Sequence, residues 1–137
     1  MNWEEIADRY TALISDTRDR AVLNHKLDAL YSEVASAMPR DNPRALEWFV
    51  QALGRPSHQF FVAQVLMRVS PLPRTLVDPL LRAALLVKDA SAPRVFIKLA
   101  VRAIGADAVH RRLSALASEP GVAENDGLNK ARYWVGR

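Results

Sequence analysis

Cysteine is absent from all 137 residues, and with it go disulfide scaffolds, thiolate zinc sites, iron–sulfur clusters and a cysteine nucleophile. Glycine is scarce, with five in the chain. Neither glycine-rich loop that cradles phosphates is present, and there is no Gly-x-Ser-x-Gly elbow or His-Glu-x-x-His metal motif. No run approaches the roughly 18 consecutive apolar residues that suggest a membrane span. The opening residues, Met1-Asn2-Trp3-Glu4-Glu5, are acidic and lack the apolar stretch of a secretion signal, so a cytoplasmic location is the expectation.

What is present is ordinary globular material. Half of the residues are hydrophobic and a quarter are charged, which excludes a disordered chain. The length suits a single domain over 1–137, one that buries roughly two-thirds of its unfolded surface. The formal net charge is +4, with 15 arginines against 4 lysines. Its distribution is uneven: residues 1–50 carry six basic and nine acidic side chains, and residues 51–137 carry thirteen and six. That lopsidedness points to an acidic partner for the C-terminal part, or more plainly to a solvated helical surface with uneven charge.

The apolar spacing is helical almost throughout, and no segment reads as a strand. Asn2 with Glu5 three residues on forms a capping-box pattern for a helix over 3–15, with Trp3, Ile6, Tyr10, Leu13 and Ile14 on one side. A second helix over 18–38 presents Leu23, Leu27, Leu30, Tyr31, Val34 and Met38. Asn42-Pro43 signals a third start, and Gly54 suits a left-handed stop. Ser57 opens a helix that is apolar at nearly every position from Phe60 to Val69, the pattern of an element in the middle of a stack. The segment 74–88 reads as a helix that Pro79 either kinks or starts, with Asp78 as its cap. Helices over 93–104, about 107–118 and from about 124 onward complete a set of eight, which is an all-α architecture.

Helix ends repeat. Ala100-Val101-Arg102-Ala103-Ile104-Gly105 is echoed 31 residues later by Ala131-Arg132-Tyr133-Trp134-Val135-Gly136 and, less closely, 35 residues earlier by Val65-Leu66-Met67-Arg68-Val69-Ser70. Periods in the thirties with two helices per unit characterise helical arrays. The units fall at about 43–70, 73–105 and 106–136, after an irregular pair within 1–40. Leu76-Val77-Asp78-Pro79-Leu80-Leu81, Asp89, and Phe96, Ala100, Ile104 and Gly105 at their mutual spacing together resemble a HEAT-type repeat. The resemblance covers about 43–136. It implies a right-handed stack of about four helix pairs that binds other macromolecules, and it carries over no catalytic residue. The arginine that the family places early in its second helix falls on Ile97, with Arg94 three residues before it, which leaves the family's Asp–Arg ladder open.

No constellation for catalysis emerges, and no cofactor or metal is expected. His25, His58 and His110 lie far apart and read as surface or helix-end residues. Carboxylates gather at Glu4, Glu5 and Asp8 and at Glu119, Glu124 and Asp126, where they complement helix-end dipoles. The best binding feature is Arg94, Lys98 and Arg102, lined along one side of a helix, with Arg68 on the same side if the units stack in register. The plainer account is that these positions simply face water. Tyr133 falls away from the Leu128, Ala131, Val135 face and is a candidate contact, whereas Trp3, Trp48 and Trp134 read as core. The expected function is a non-enzymatic protein-interaction module, an adaptor, scaffold or small inhibitor, that binds an acidic surface. Nucleic-acid binding through the same ridge is the alternative, and a homodimer burying one end of the stack is a third possibility. No membrane partner is expected.

Overall fold

The computed structural model describes residues 2–88, 93–123 and 127–136. Among them are eight α-helices and no strand: α1 Trp3–Asp16, α2 Arg20–Ala37, α3 Glu47–Leu53, α4 Gln59–Leu66, α5 Val77–Leu86, α6 Pro93–Ile104, α7 Ala106–Ala117 and α8 Leu128–Tyr133. The chain is all-α, as its periodicity predicts.

Local chemistry sets the boundaries. The Glu5 amide donates to Asn2 Oδ1 at 3.2 Å, and the Val22 amide to Asp19 Oδ1 at 3.0 Å, so both α1 and α2 begin on side-chain caps. Asn42 receives the amides of Arg44 and Ala45, but this closes a turn, and α3 proper starts later, at Glu47. The arrival of Pro79 is prepared by a 3₁₀ turn over Arg74–Leu76. Pro79 then sits in the first turn of α5, where its missing N–H leaves no bond unmade. Asp78 does not cap that helix, whose start has no side-chain cap. Gly54 is likewise not left-handed, with φ −85°, whereas Gly105 at φ 86° provides the turn between α6 and α7. The start expected near residue 124 falls partly outside the described residues, as does Asp89; the described helix there is α8.

The helices pack in pairs, α1 on α2, α3 on α4, α5 on α6 and α7 on α8. Between pairs, α3 meets α5 and α5 meets α7, while α2 meets α4, α4 meets α6 and α6 meets α8. Neighbours within a row run the same way where side chains fix the register. Tyr31 lies 6.1 Å from Phe61 and Arg40 reaches the Ser70 carbonyl, which aligns α2 with α4. Phe60 lies 5.5 Å from Phe96 while Arg102 reaches the end of α4, which aligns α4 with α6. Asp78 meets Arg112 and Arg82 meets Glu119, which aligns α5 with α7.

One continuous apolar core runs from Ile6 to Ala131 through Phe49, Phe61 and Phe96, all three fully buried. Each such ring contributes about 1.5–3 kcal/mol by leaving water. The middle position of α4 follows from its composition, since Phe61, Val62, Ala63, Val65 and Leu66 are all buried. Ile14, expected on the inner side of α1, is instead exposed near the end of that helix. At the other end of the molecule the backbone of Gly127 is pressed against α5: a Cβ there would lie 1.9 Å from the Leu85 carbonyl oxygen. The Lys130 ammonium donates to the Val87 and Lys88 carbonyls at 3.4 Å, satisfying acceptors left over at the end of α5.

Candidate functional site

The basic stripe is divided between internal contacts and solvent. Arg102 donates to the carbonyls of Leu66 and Val69 at 2.9 Å and of Met67 at 3.2 Å, so its guanidinium closes the C-terminal end of α4. Arg68 follows α4 at that same end. It donates to the Gln64 carbonyl at 2.8 Å, pairs with Asp28 at 2.5 Å, and covers the Tyr31 ring with its guanidinium 4.9 Å from the centroid. Burial, with Tyr10 alongside, pushes the Tyr31 hydroxyl up to about 12. Arg94 is exposed, with its guanidinium 5.8 Å from the centre of the Trp134 ring. Lys98 projects into solvent and makes no hydrogen bond or ion pair among the described residues. Tyr133 is 54% exposed, with its ring edge-on to Trp134 at 4.8 Å. Helical spacing puts Arg94, Lys98 and Arg102 on one side of α6, and all three are exposed. It could not show that the neighbouring helix ends in carbonyls within reach of an arginine.

Two polar clusters went unread in the sequence. Glu4 sits at the start of α1, where the macrodipole favours it, but it also accepts from the Trp48 indole and from Arg55, each at 2.8 Å. Those hydrogen bonds hold its carboxyl below its ordinary range. His58 joins this group: Nδ1 shares a 2.7 Å hydrogen bond with Ser57, and Nε2 is buried 3.9 Å from Glu4 without a hydrogen-bond partner. The second cluster is Asp78, Arg82, Arg112 and Glu119. Arg112 grips both Asp78 oxygens at 3.1 and 2.6 Å, and Arg82 grips both Glu119 oxygens at 2.9 and 3.2 Å. Hydrogen bonding to Arg82 lowers the Glu119 carboxyl, and pairing with carboxylates raises both guanidiniums. Asp78 therefore joins α5 to α7 through Arg112, while Asp89, the turn aspartate of the resembled motif, lies outside the described residues.

A groove of about 670 Å³ opens between α3 and α5. Val50, Leu53, Pro56, Ala83 and Leu86 supply most of its wall. Gln59, the first residue of α4, lines it as well and is 9% exposed. Arg82 and Lys88 also border the groove. Arg82 is already held by Glu119, whereas the Lys88 ammonium is unpaired among the described residues. A second hollow of about 640 Å³ between α1 and α2 is more polar, with Arg9 and Glu33 on its rim paired at 3.4 Å.

Among the described residues no three His, Asp or Glu side chains converge as metal ligands would, and no helix is long and apolar enough to cross a membrane. Compared with known proteins, the chain matches no family model, no curated protein and no solved structure.

Proposed function

We propose that the chain is a non-enzymatic protein-interaction module, a right-handed HEAT-like stack of about four helix pairs that holds an acidic surface of another protein. The observation that carries this reading is the register between pairs. Six contacts from one pair to the next join residues 30 to 37 apart, close to the periods seen in the sequence and in keeping with two parallel rows of helices, while others, such as Arg68 with Asp28 at 40 and Trp48 with Glu4 at 44, are wider. Such an array exposes long faces without enclosing a reaction chamber, and the function of such faces is association. The basic excess in residues 51–137 favours an acidic partner. On the stripe, Lys98 and the exposed Arg94 are the cations best placed to meet it, with Tyr133 as an exposed aromatic contact. Arg68 and Arg102, whose guanidiniums make contacts within the chain, add positive potential beside them.

The test is capture from the lysate of the source cell with the tagged chain, half of the lysate treated with nuclease and both halves analysed by mass spectrometry. A stoichiometric acidic protein retained in both halves supports the proposal. Recovery that vanishes with nuclease transfers the basic surface to nucleic acid and overturns it.

A further inference from the structure

Charge is sorted between the two rows of helices. α4, α6 and α8 contain no Asp or Glu, while α6 contributes Arg94, Lys98 and Arg102 and α8 contributes Lys130 and Arg132. The other row mixes its charges, with Glu47, Asp78 and Asp107 alongside Arg82, Arg111 and Arg112. Cations without carboxylates on their own helices are complementary to an acidic surface. Lys98 makes no hydrogen bond or ion pair among the described residues, and Arg94 has only its contact with the Trp134 ring.

An apolar strip lies beside these cations. Phe60 and Met67, at the two ends of α4, are 39% and 46% exposed. They stand two helical turns apart, about 10 Å along the axis, so both occupy one side of the helix. That side borders α6: the Phe60 ring lies 5.5 Å from Phe96, and the Met67 carbonyl accepts from Arg102 at 3.2 Å. The same register sets Lys98 between those two levels and Arg94 near the Phe60 end. A seam between parallel helices, apolar along one edge and cationic along the other, has the pitch to take a third helix. Duplex nucleic acid fits it less well. Two uncommitted cations fall short of the roughly six to ten phosphate contacts of a strong duplex binder, and a phosphate backbone offers Phe60 and Met67 nothing to bury against.

We infer that the seam between α4 and α6 is the docking site for an acidic amphipathic helix of the partner protein. The inference rests on the protein-binding reading above and assigns the form and chemistry of the partner segment. Two apolar side chains, two turns apart on that helix, cover Phe60 and Met67. Two carboxylates on its flank, one turn apart, meet Lys98 and Arg94.

A phage-displayed library on a stable helical-hairpin scaffold, randomised over the outer face of one helix and panned on the intact chain, supplies the probes. Fluorescence polarisation of the enriched helices measures binding. The expected faces carry apolar residues two turns apart, flanked by Asp or Glu. Lys98→Glu and Met67→Glu, both at exposed positions, should each weaken binding at least tenfold with the melting temperature unchanged. Arg111→Glu, the same charge reversal on α7, should change it less than threefold. Replacing the acidic residues of the helix with lysine should abolish binding to the parent chain and restore it to the double variant Arg94→Glu/Lys98→Glu, a rescue that loss of folding could not produce. The assignment is overturned if no helix is enriched, if the enriched helices are indifferent to Lys98→Glu and Met67→Glu, or if they lack acidic residues. Light scattering that shows a dimer abolished by Met67→Glu would give the seam to a second copy of the chain. A short DNA duplex bound in a Lys98-dependent way, with no helix bound, would give it to nucleic acid. Either result overturns the helix assignment, whereas the protein-binding reading falls only with the lysate capture.

Discussion

Arg112 on α7 holds both carboxylate oxygens of Asp78 on α5, tying two helices together through residues that lie 34 apart along the chain. With Arg82 and Glu119 it makes two forked pairs across one seam. The side chains are between one-third and one-half exposed, so solvent screens them and the seam is worth less than its geometry suggests. Arg112→Ala should cost about 0.5–1 kcal/mol in urea denaturation at low salt. A double-mutant cycle with Asp78→Ala should recover most of that as coupling, and the coupling should shrink in high salt. Full additivity of the two substitutions would mean the pair contributes nothing to the seam.

Arg102 and Lys98 stand one helical turn apart on α6 and should behave as opposites. Arg102→Ala removes the donor to three carbonyls at the end of α4 and should destabilise by about 1–3 kcal/mol. Lys98→Ala should stay within about 0.5 kcal/mol of the parent. Thermal melts of the two variants decide this; equal and negligible losses would show that Arg102 is a solvated residue like its neighbour.

These two positions also mark where sequence reading stops. Periodicity depends only on the chain's own geometry, so it located α6 at Pro93–Ile104 and the nearly apolar stretch of α4 without help from tertiary structure. It placed Arg68, Arg94, Lys98 and Arg102 on related faces for the same reason. What an arginine meets on the next helix is set by register between elements, which no single segment encodes. Asp78 shows the same limit, since Asp before Pro at a helix start is locally a cap and globally a partner for Arg112. The groove was illegible for a related reason: Val50, Gln59 and Leu86 come from three elements, and each looks ordinary in its own helix.

Gly127→Ala should be among the more damaging single changes. Its new methyl would fall on the backbone of Leu85, which has no rotamer through which to yield, so α8 must shift away from α5. The expected cost is about 1–3 kcal/mol. Gly54→Ala is the control: its Cβ would stand 3.4 Å from the Gln51 carbonyl at an ordinary negative φ, and it should be tolerated. Equal melting temperatures for the two variants would contradict the close approach of α8.

Acid should loosen the molecule at identifiable carboxylates. Glu4 and Glu119 are both held below the ordinary value of 4.5 in the folded chain, by hydrogen bonds from Trp48 and Arg55 and from Arg82 respectively. The unfolded chain therefore binds more protons between the two values, and stability rises with pH there. The contribution is complete above 4.5 and disappears as pH falls through the folded-state values. Glu4→Gln should melt earlier than the parent at pH 7, and the gap should narrow as the pH falls below 4.5. A gap that persists unchanged into acid would assign the loss to packing.

The most direct test of partner binding is hydrogen–deuterium exchange on the chain alone and in complex with the protein captured from the lysate. Binding on the basic stripe predicts slowed exchange in residues 94–102 and 128–134, with the outer side of α1 unaffected. Exchange unchanged in both segments, at saturating partner, would contradict it.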